Sequence, residues 1–242
     1  MGHRFPSSVR SASQVEGCST AKTRRKHRKE RLMQIGFIGV GQIGTAVAGQ
    51  LAKAGHELAI ANSRGPQTLA AKVAEIGGNT QAMTAEEAVA GSEVVFVAIP
   101  FANRAVLREL PFAGKTVVDL MNYYPARDGR IPELDSHTAT TSEITSSIIP
   151  EAHIVKAFNS IYAGDVSAKA RPAGAPDRSA LPYAGDDAQA KQTVAELISD
   201  TGYDPYDVGA LHEGIRFENG TPAYCFRGSA KELAAKLAQF GE

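Results

Sequence analysis

Met33 to Gly55, MQIGFIGVGQIGTAVAGQLAKAG, sets the strongest limit on what this chain can fold into. Ile35, Phe37 and Ile38 form a short apolar run that suits a buried central strand. Gly39, Val40, Gly41, Gln42, Ile43 and Gly44 then complete a G-x-G-x-x-G turn. Ile43, Val47 and Leu51 recur every four residues and share one helix face, and Gly55 ends the helix. In such a strand–turn–helix, the first glycine permits the tight turn. The second lets backbone approach a pyrophosphate, and the third lets helix pack close on strand. The helix N-terminus offers free N–H groups and a positive dipole end. The strand before and the helix after are the context that makes this motif a dinucleotide-binding fingerprint.

The end of the next strand bears on which dinucleotide binds. Glu57–Ala61 (ELAIA) reads as that strand, followed by Asn62, Ser63 and Arg64. A site for NAD places Asp or Glu here against the ribose 2′-hydroxyl. This chain has no acid at the position. It offers an amide, a hydroxyl and a guanidinium, and a guanidinium suits a 2′-phosphate because its fork donates two parallel bonds. NADP(H) is therefore preferred, with a solvated surface turn as the plain alternative.

The β/α alternation continues. A helix is expected over Pro66–Ile76, a short strand over Thr80–Met83 and a capping box at Thr84–Glu87. Val94–Ile99 (VVFVAI) reads as a fully buried strand and runs straight into Pro100 and Phe101. Ligands in open parallel sheets sit at the carboxyl ends of strands, so Ile99, Pro100 and Phe101 are placed to meet the nicotinamide, or to form a simple turn. A helix over Asn103–Leu110, a strand over Lys115–Leu120, a polar loop, a helix over Thr141–Ile149 and a strand over His153–Phe158 follow. After the Pro/Ala/Gly loop Ala170–Ala180 come a strand at Leu181–Ala184, a helix at Asp187–Asp200 and a strand at Tyr206–Val208. A capping box at Ser229–Glu232 opens the last helix. The pattern predicts an α/β protein, a Rossmann-type doubly wound parallel sheet with a small C-terminal α/β extension. Three parts are expected: a basic extension over 1–32, an NADP-binding domain over 33–165, and a region over 166–242 that closes the cofactor cleft.

Charge separates the first part from the rest. Residues 1–32 hold nine Lys/Arg against two Glu, a net of +7, and the remainder carries −7. The extension has almost no apolar content and is expected to be disordered. A nucleic-acid or membrane arm, a transit peptide and an export signal with Arg24-Arg25 compete with that reading. Export would cleave a segment already accounted for as strand, turn and helix, and Pro6 removes a myristoylation motif. The favoured expectation is an upstream extension before a start at Met33. The mildly acidic body is a poor partner for duplex nucleic acid, and no segment is apolar enough to span a membrane. Cys18 and Cys225 indicate neither a disulfide framework nor a zinc site, which points to a reducing, cytoplasmic setting.

Single residues outside these motifs carry weaker signals. His56 suits a helix-end cation, and His153 and His212 lack ligand spacing. Asp119 either meets the cofactor or caps a turn, and Tyr123 and Tyr124 either flank the cleft or pack.

MQIGFIGVGQIG, NSR, VVFVAIPF, VVDLMNYYP, IVKAFNSI, YAGDD and YDVGAL, in that order, resemble the coenzyme F420-dependent NADP oxidoreductase family. They are similar also to the cytosolic nucleotide-binding domain of six-transmembrane ferric reductases. The resemblance covers 33–211. It implies direct hydride transfer between NADPH and a deazaflavin or flavin, with Val40 to Ile43, Ser63 and Arg64 holding NADP. Ile99 and Pro100 would line the nicotinamide, and Asn159, Gly209, Ala210 and Leu211 would hold the acceptor. No acid–base residue is required, because the cofactors supply the chemistry and the protein supplies position. One departure stands out: the F420-dependent enzymes carry His where this chain has Asn159, and the ferric-reductase branch carries Asn. Asn cannot protonate, which leaves F420 and ordinary flavins (FMN or FAD) both open as the small-molecule acceptor. A redox-silent NADP(H)-binding sensor is the rival reading. The Ala-rich last helix and the 209–227 loop suggest a homodimer.

Overall fold

The structure is a computed structural model and describes Met1 and residues 32–241. The expected disorder of the basic extension lies outside the described residues. Residues 32–241 form one compact unit built on a single eight-stranded sheet.

The first half of that sheet follows from the opening motif. β1 (Gln34–Ile38) leads through the glycine turn into α1 (Gln42–Lys53), and β2 (Glu57–Ala61) pairs parallel beside β1. A single 3₁₀ turn at Pro66–Thr68 precedes α2 (Ala70–Ile76), where one continuous helix was expected. β3 (Asn79–Ala82) follows, and then α3 (Ala85–Ala90) with the predicted Thr84/Glu87 capping box. β4 (Val94–Val97) crosses to the other side of β1. The reversal between β1 and β4 opens a crevice at their carboxyl ends, the usual ligand position in such sheets.

Phe101–Glu109 winds as a 3₁₀ helix, where an α-helix from Asn103 was expected. The buried residues explain the difference. Phe101 and Leu107 both point inward and lie six apart, which is two turns at three residues per turn. β5 (Thr116–Asp119) leads into residues expected to be a polar loop. They hold two short helices, α4 (Pro125–Asp128) and α5 (Pro132–Asp135), each with proline at its first position. α6 (Thr141–Ile148), capped by a Thr140/Glu143 box, and β6 (His153–Ala157) come next.

Beyond β6 the direction changes. α7 (Ala163–Ala168), unread in the sequence, and the following loop keep the chain at the carboxyl edge. β7 (Ala180–Gly185) therefore enters from that edge, antiparallel to β6. α8 (Ala188–Asp200), N-capped by Asp187, returns it to β8 (Asp204–Gly209), parallel to β7. A 3₁₀ segment, Leu211–Phe217, and α9 (Ala230–Ala238), with the predicted Ser229/Glu232 capping box, finish the fold. The strand order is β3-β2-β1-β4-β5-β6-β7-β8, so the sheet is mostly parallel with an antiparallel step.

Alternation along the strands sorts the core into two layers. Ile35 and Phe37 face α1 and α8 with Val47, Leu51, Val194 and Leu197, and Phe37 stacks on Phe96 at 4.7 Å between centroids. Ile38, Val95 and Val97 face the other side with Ala88, Val89 and Phe101. Each large buried side chain contributes about 1.5–3 kcal/mol, and together they hold the strand ends that carry the site.

Candidate active site

The glycine turn is built as its spacing predicts. Gly39 has φ 98°, and a Cβ there would stand 2.5 Å from the Ala98 carbonyl of β4. A Cβ on Gly44 would lie 2.4 Å from the Gly39 carbonyl, so this glycine seats α1 against the turn. At Gly41 a Cβ would meet nothing within 4 Å. That open face is what a pyrophosphate needs, and no side chain caps the N-terminus of α1 above it. Thr45 Oγ1 donates to the Val40 carbonyl at 3.0 Å and fixes the turn from behind.

A cavity of about 730 Å³ runs from this turn along the ends of β1, β2 and β4. Asn62, Ser63, Arg64, Thr68 and Lys72 line one end, and Ile99, Pro100, Asn103 and Val106 the other. Asn62 shapes the first end: its Oδ1 accepts from the Arg64 amide at 2.9 Å, and its Nδ2 donates to Thr68 Oγ1 at 3.0 Å. Ser63 and Arg64 are exposed beyond that turn. Among the described residues the Arg64 guanidinium has no acceptor, and no carboxylate lines the cavity. The arrangement suits a phosphate carrying two negative charges.

A second cavity, about 390 Å³, adjoins the first, and Gly41, Ala98, Ile99 and Pro100 line both. Met121, Asn122, Tyr124, Arg127, Phe158, Asn159, Tyr162, Tyr224 and Cys225 form much of the rest of its wall. Two of these, Phe158 (φ 59°) and Cys225 (φ 54°), hold left-handed backbone, a costly conformation that concentrates at functional sites. Asn159 is 3% exposed; its Nδ2 donates to the Phe217 carbonyl at 3.1 Å, and its Oδ1 has no partner. The Tyr124 and Tyr224 hydroxyls meet at 2.8 Å. Burial, aided by that bond, pushes the Tyr224 hydroxyl well above its ordinary pKa, and burial likewise raises the Cys225 thiol. Both are neutral at physiological pH. The open Gly41 face and the uncapped helix fit a dinucleotide in the first cavity.

Beneath the second cavity lies a buried charged cluster. Lys156 is fully buried; its Nζ donates to the Met121 carbonyl and to Thr141 Oγ1, and stands 4.0 Å from Asp119 and 3.9 Å from Glu218. Asp119 accepts from the Met121 amide, Ser142 and Thr145. Glu218 accepts from the Thr141 amide at 2.9 Å.

Comparison with known proteins matches the same elements. Residues 34–123 match the family model described as NADP oxidoreductase, coenzyme F420-dependent. A crystal structure of an Arthrobacter sp. FB24 protein, assigned as an F420-dependent NADP reductase, is 31% identical. It aligns over 74% of this chain and 86% of its own, with a TM-score of 0.61. The chain belongs to the F420-dependent NADP oxidoreductase family. A hypothetical protein from Sinorhizobium meliloti is 30% identical over 82% of this chain and 96% of its own, with a TM-score of 0.71. The metalloreductase STEAP3 of Rattus norvegicus is 32% identical over 180 residues, 74% of this chain and 34% of that protein. The chain thus spans about a third of the length of the curated metalloreductases it matches. NADP(H) is the nucleotide of the family, and its members share this Rossmann-like sheet. Among the described residues no helix is long and apolar enough to cross a membrane, and no cluster of three His, Cys, Asp or Glu is placed to hold a metal.

The residues expected to contact ligand fall into three groups. Gly39, Val40, Gly41, Asn62, Ser63, Arg64, Ile99 and Pro100 line the first cavity, and Gln42, Ile43 and Asn159 line the second. Gly44 and Phe101 line neither. Gly44 packs on Gly39, and Phe101 is buried edge-on to Tyr123 at 6.4 Å between centroids. Gly209, Ala210 and Leu211 line neither cavity either. β8 runs away from the carboxyl edge, the Gly209 carbonyl accepts from Lys191, and the Leu211 amide donates to Asp186. Sequence reasoning missed Thr68, Lys72, Tyr162, Tyr224, Arg127, Lys156 and Glu218; Asp119, offered as a cofactor contact or a turn cap, lines neither cavity and accepts from the Met121 amide. For Lys156 a signal existed, since a cation inside the apolar run HIVKAF requires buried partners. His56 serves the fold: its Nδ1 accepts from the Met33 amide and its Nε2 meets Asp200.

Proposed function

We propose that this chain is an NADPH-dependent oxidoreductase passing hydride directly between NADP(H) and a flavin-like acceptor, F420 or FMN/FAD. The supporting observation is the shared wall: Ile99 and Pro100 border both cavities. A nucleotide anchored by its 2′-phosphate at Ser63 and Arg64, with its pyrophosphate over Gly41, would present its far end at that wall. When bound, NADPH would supply the hydride, and solvent would supply the proton that completes the reduced acceptor. The protein's part is placement. Gly41 and the end of α1 hold the pyrophosphate, Ile99 and Pro100 set the ring plane, and Asn159, bonded to the Phe217 carbonyl, holds the wall of the second cavity. Tyr162 and Tyr224 shield the second ring from water. Bringing two reactants into contact geometry is itself worth several kcal/mol of barrier.

The test is to mix the purified full chain with NADPH and follow its oxidation with F420, FMN or FAD, with NADH as control. Turnover with one acceptor, and far less with NADH, is the expected result. Tight NADPH binding with no turnover on any acceptor would favour the redox-silent sensor.

A further inference from the structure

Arg127 is the one charged side chain in the wall of the second cavity among the described residues. It is also fixed in place. Its Nε donates to Asp128 Oδ1 at 2.7 Å, and its Nη2 donates to Asp128 Oδ2 at 2.8 Å and to the Asn122 carbonyl at 2.7 Å. The guanidinium lies over the Tyr124 ring, 4.8 Å from the centroid. Asp128 does not close the site. Its carboxylate is fully buried and also accepts from the Tyr124 and Ala102 amides, so it faces the protein. Burial works to raise the Asp128 carboxyl, but the bonds from Arg127 and the two amides outweigh it and hold it below the ordinary range. The Arg127 side chain is 44% exposed, and its Nη1 has no acceptor among the described residues.

We infer that Arg127 binds an anionic substituent of the acceptor, a phosphate above all, and so selects phosphorylated flavins or deazaflavins over their uncharged parents. This rests on the hydride-transfer reading for the identity of the acceptor. A guanidinium stacked on an aromatic ring and held from one edge presents its free edge without further ordering. Arg127 stands on α4, beyond Tyr124, so the ring system would lie at the Pro100 wall with its charged tail directed outward. Asp128 offsets the guanidinium charge through its direct bonds to Nε and Nη2, but it supplies no competing ligand at Nη1.

The test compares FMN with riboflavin, which differ only by the phosphate. Flavin fluorescence is titrated with the NADP⁺-loaded full chain, and NADPH oxidation is measured beside it. The expected result is that FMN binds at least about tenfold tighter than riboflavin. Arg127→Gln removes that preference by weakening FMN alone, Arg127→Lys retains part of it, and NADP⁺ affinity stays unchanged in both. Equal affinity for the two flavins in the native protein overturns the inference, as does no FMN binding at all. Equal weakening of both flavins in Arg127→Gln also overturns it, since that would show Arg127 acting only through the Tyr124 contact. The two readings separate cleanly. A phosphate preference in binding without NADPH oxidation sinks hydride transfer and leaves Arg127 standing. Equal turnover of FMN and riboflavin with equal affinity does the reverse.

Discussion

The Asn159 side-chain amide donates to the Phe217 carbonyl at 3.1 Å, across 58 residues of chain. This bond ties the loop after β6 to the segment that carries Tyr224 and Cys225 into the second cavity. Asn159 itself lines that cavity, and its Oδ1 is buried without a partner among the described residues. Asn159→Ala leaves the Phe217 carbonyl without its donor, which is expected to cost about 1–3 kcal/mol of stability. It is also expected to lower acceptor kcat/KM while leaving NADPH affinity within about twofold, because Asn159 does not line the nucleotide cavity. Loss of both in equal measure would mean that Asn159 supports the fold alone.

Arg64 is expected to separate NADPH from NADH. Its guanidinium is exposed at the cavity end with no acceptor of its own among the described residues. One charge-assisted contact to a 2′-phosphate is worth about 1.5–3 kcal/mol. Arg64→Ala should therefore weaken NADPH by roughly ten- to hundredfold and NADH hardly at all, read by calorimetric titration. Equal loss for both nucleotides would remove the 2′-phosphate role.

The glycines of the turn should fail in different ways. An alanine methyl at Gly44 meets the Gly39 carbonyl at 2.4 Å, a backbone atom that cannot swing aside, and overpacking of this kind costs about 1–3 kcal/mol. Gly41→Ala meets nothing within 4 Å and has φ −69°, which alanine accepts. Its methyl group would occupy the open space proposed for the pyrophosphate. Thermal unfolding should show Gly44→Ala melting early and Gly41→Ala near the native Tm. NADPH titration should show Gly41→Ala binding poorly although folded.

Lys156 is expected to be the most sensitive polar residue of the core. Lys156→Met removes the cation that Asp119 and Glu218 face at 4.0 and 3.9 Å, leaving two carboxylates in a buried setting. Breaking one side of such a cluster costs about 3–5 kcal/mol. Glu218→Gln keeps an oxygen for the Thr141 amide and should cost far less. Denaturant unfolding of the two variants checks the order; a Lys156→Met variant as stable as Glu218→Gln would show the cluster to be indifferent to its charge.

What could be read from the sequence was what is local. The glycine turn, the Thr84 and Ser229 capping boxes and the apolar strand runs each rest on contacts within a few residues, and each stands where its spacing puts it. The absence of an acid after β2 was equally plain, since one position carries it. The wall of the second cavity was not legible, because its contacts join residues far apart: Tyr124 meets Tyr224 across 100 residues, and beneath it Thr141 meets Glu218 across 77. The antiparallel entry of β7 compounded this. Resemblance placed Gly209–Leu211 beside Asn159, but the direction of β8 depends on where α7 and its loop return the chain, and no periodicity encodes that. Proline at the first position of α4 and α5 was a local signal left unused.

Alkaline titration probes the last buried contact on the α7 side. Tyr203 is 2% exposed, and its hydroxyl donates to the Asp165 carbonyl at 2.7 Å. Burial, with the Asp165 charge adding to it, raises its pKa to about 12. In the unfolded chain the phenol ionises near its ordinary value of about 10. The folded state thus holds this proton more tightly, so the contribution is fully present below pH of about 10. It is lost as pH rises through about 12, because there the unfolded chain gains by releasing a proton that the fold retains. Tyr203→Phe should cost about 1 kcal/mol at neutral pH through the lost bond, yet show a shallower fall in stability between pH of about 10 and 12 than the native chain. Denaturant midpoints across that range give the comparison; parallel curves would show that Tyr203 ionises alike in both states.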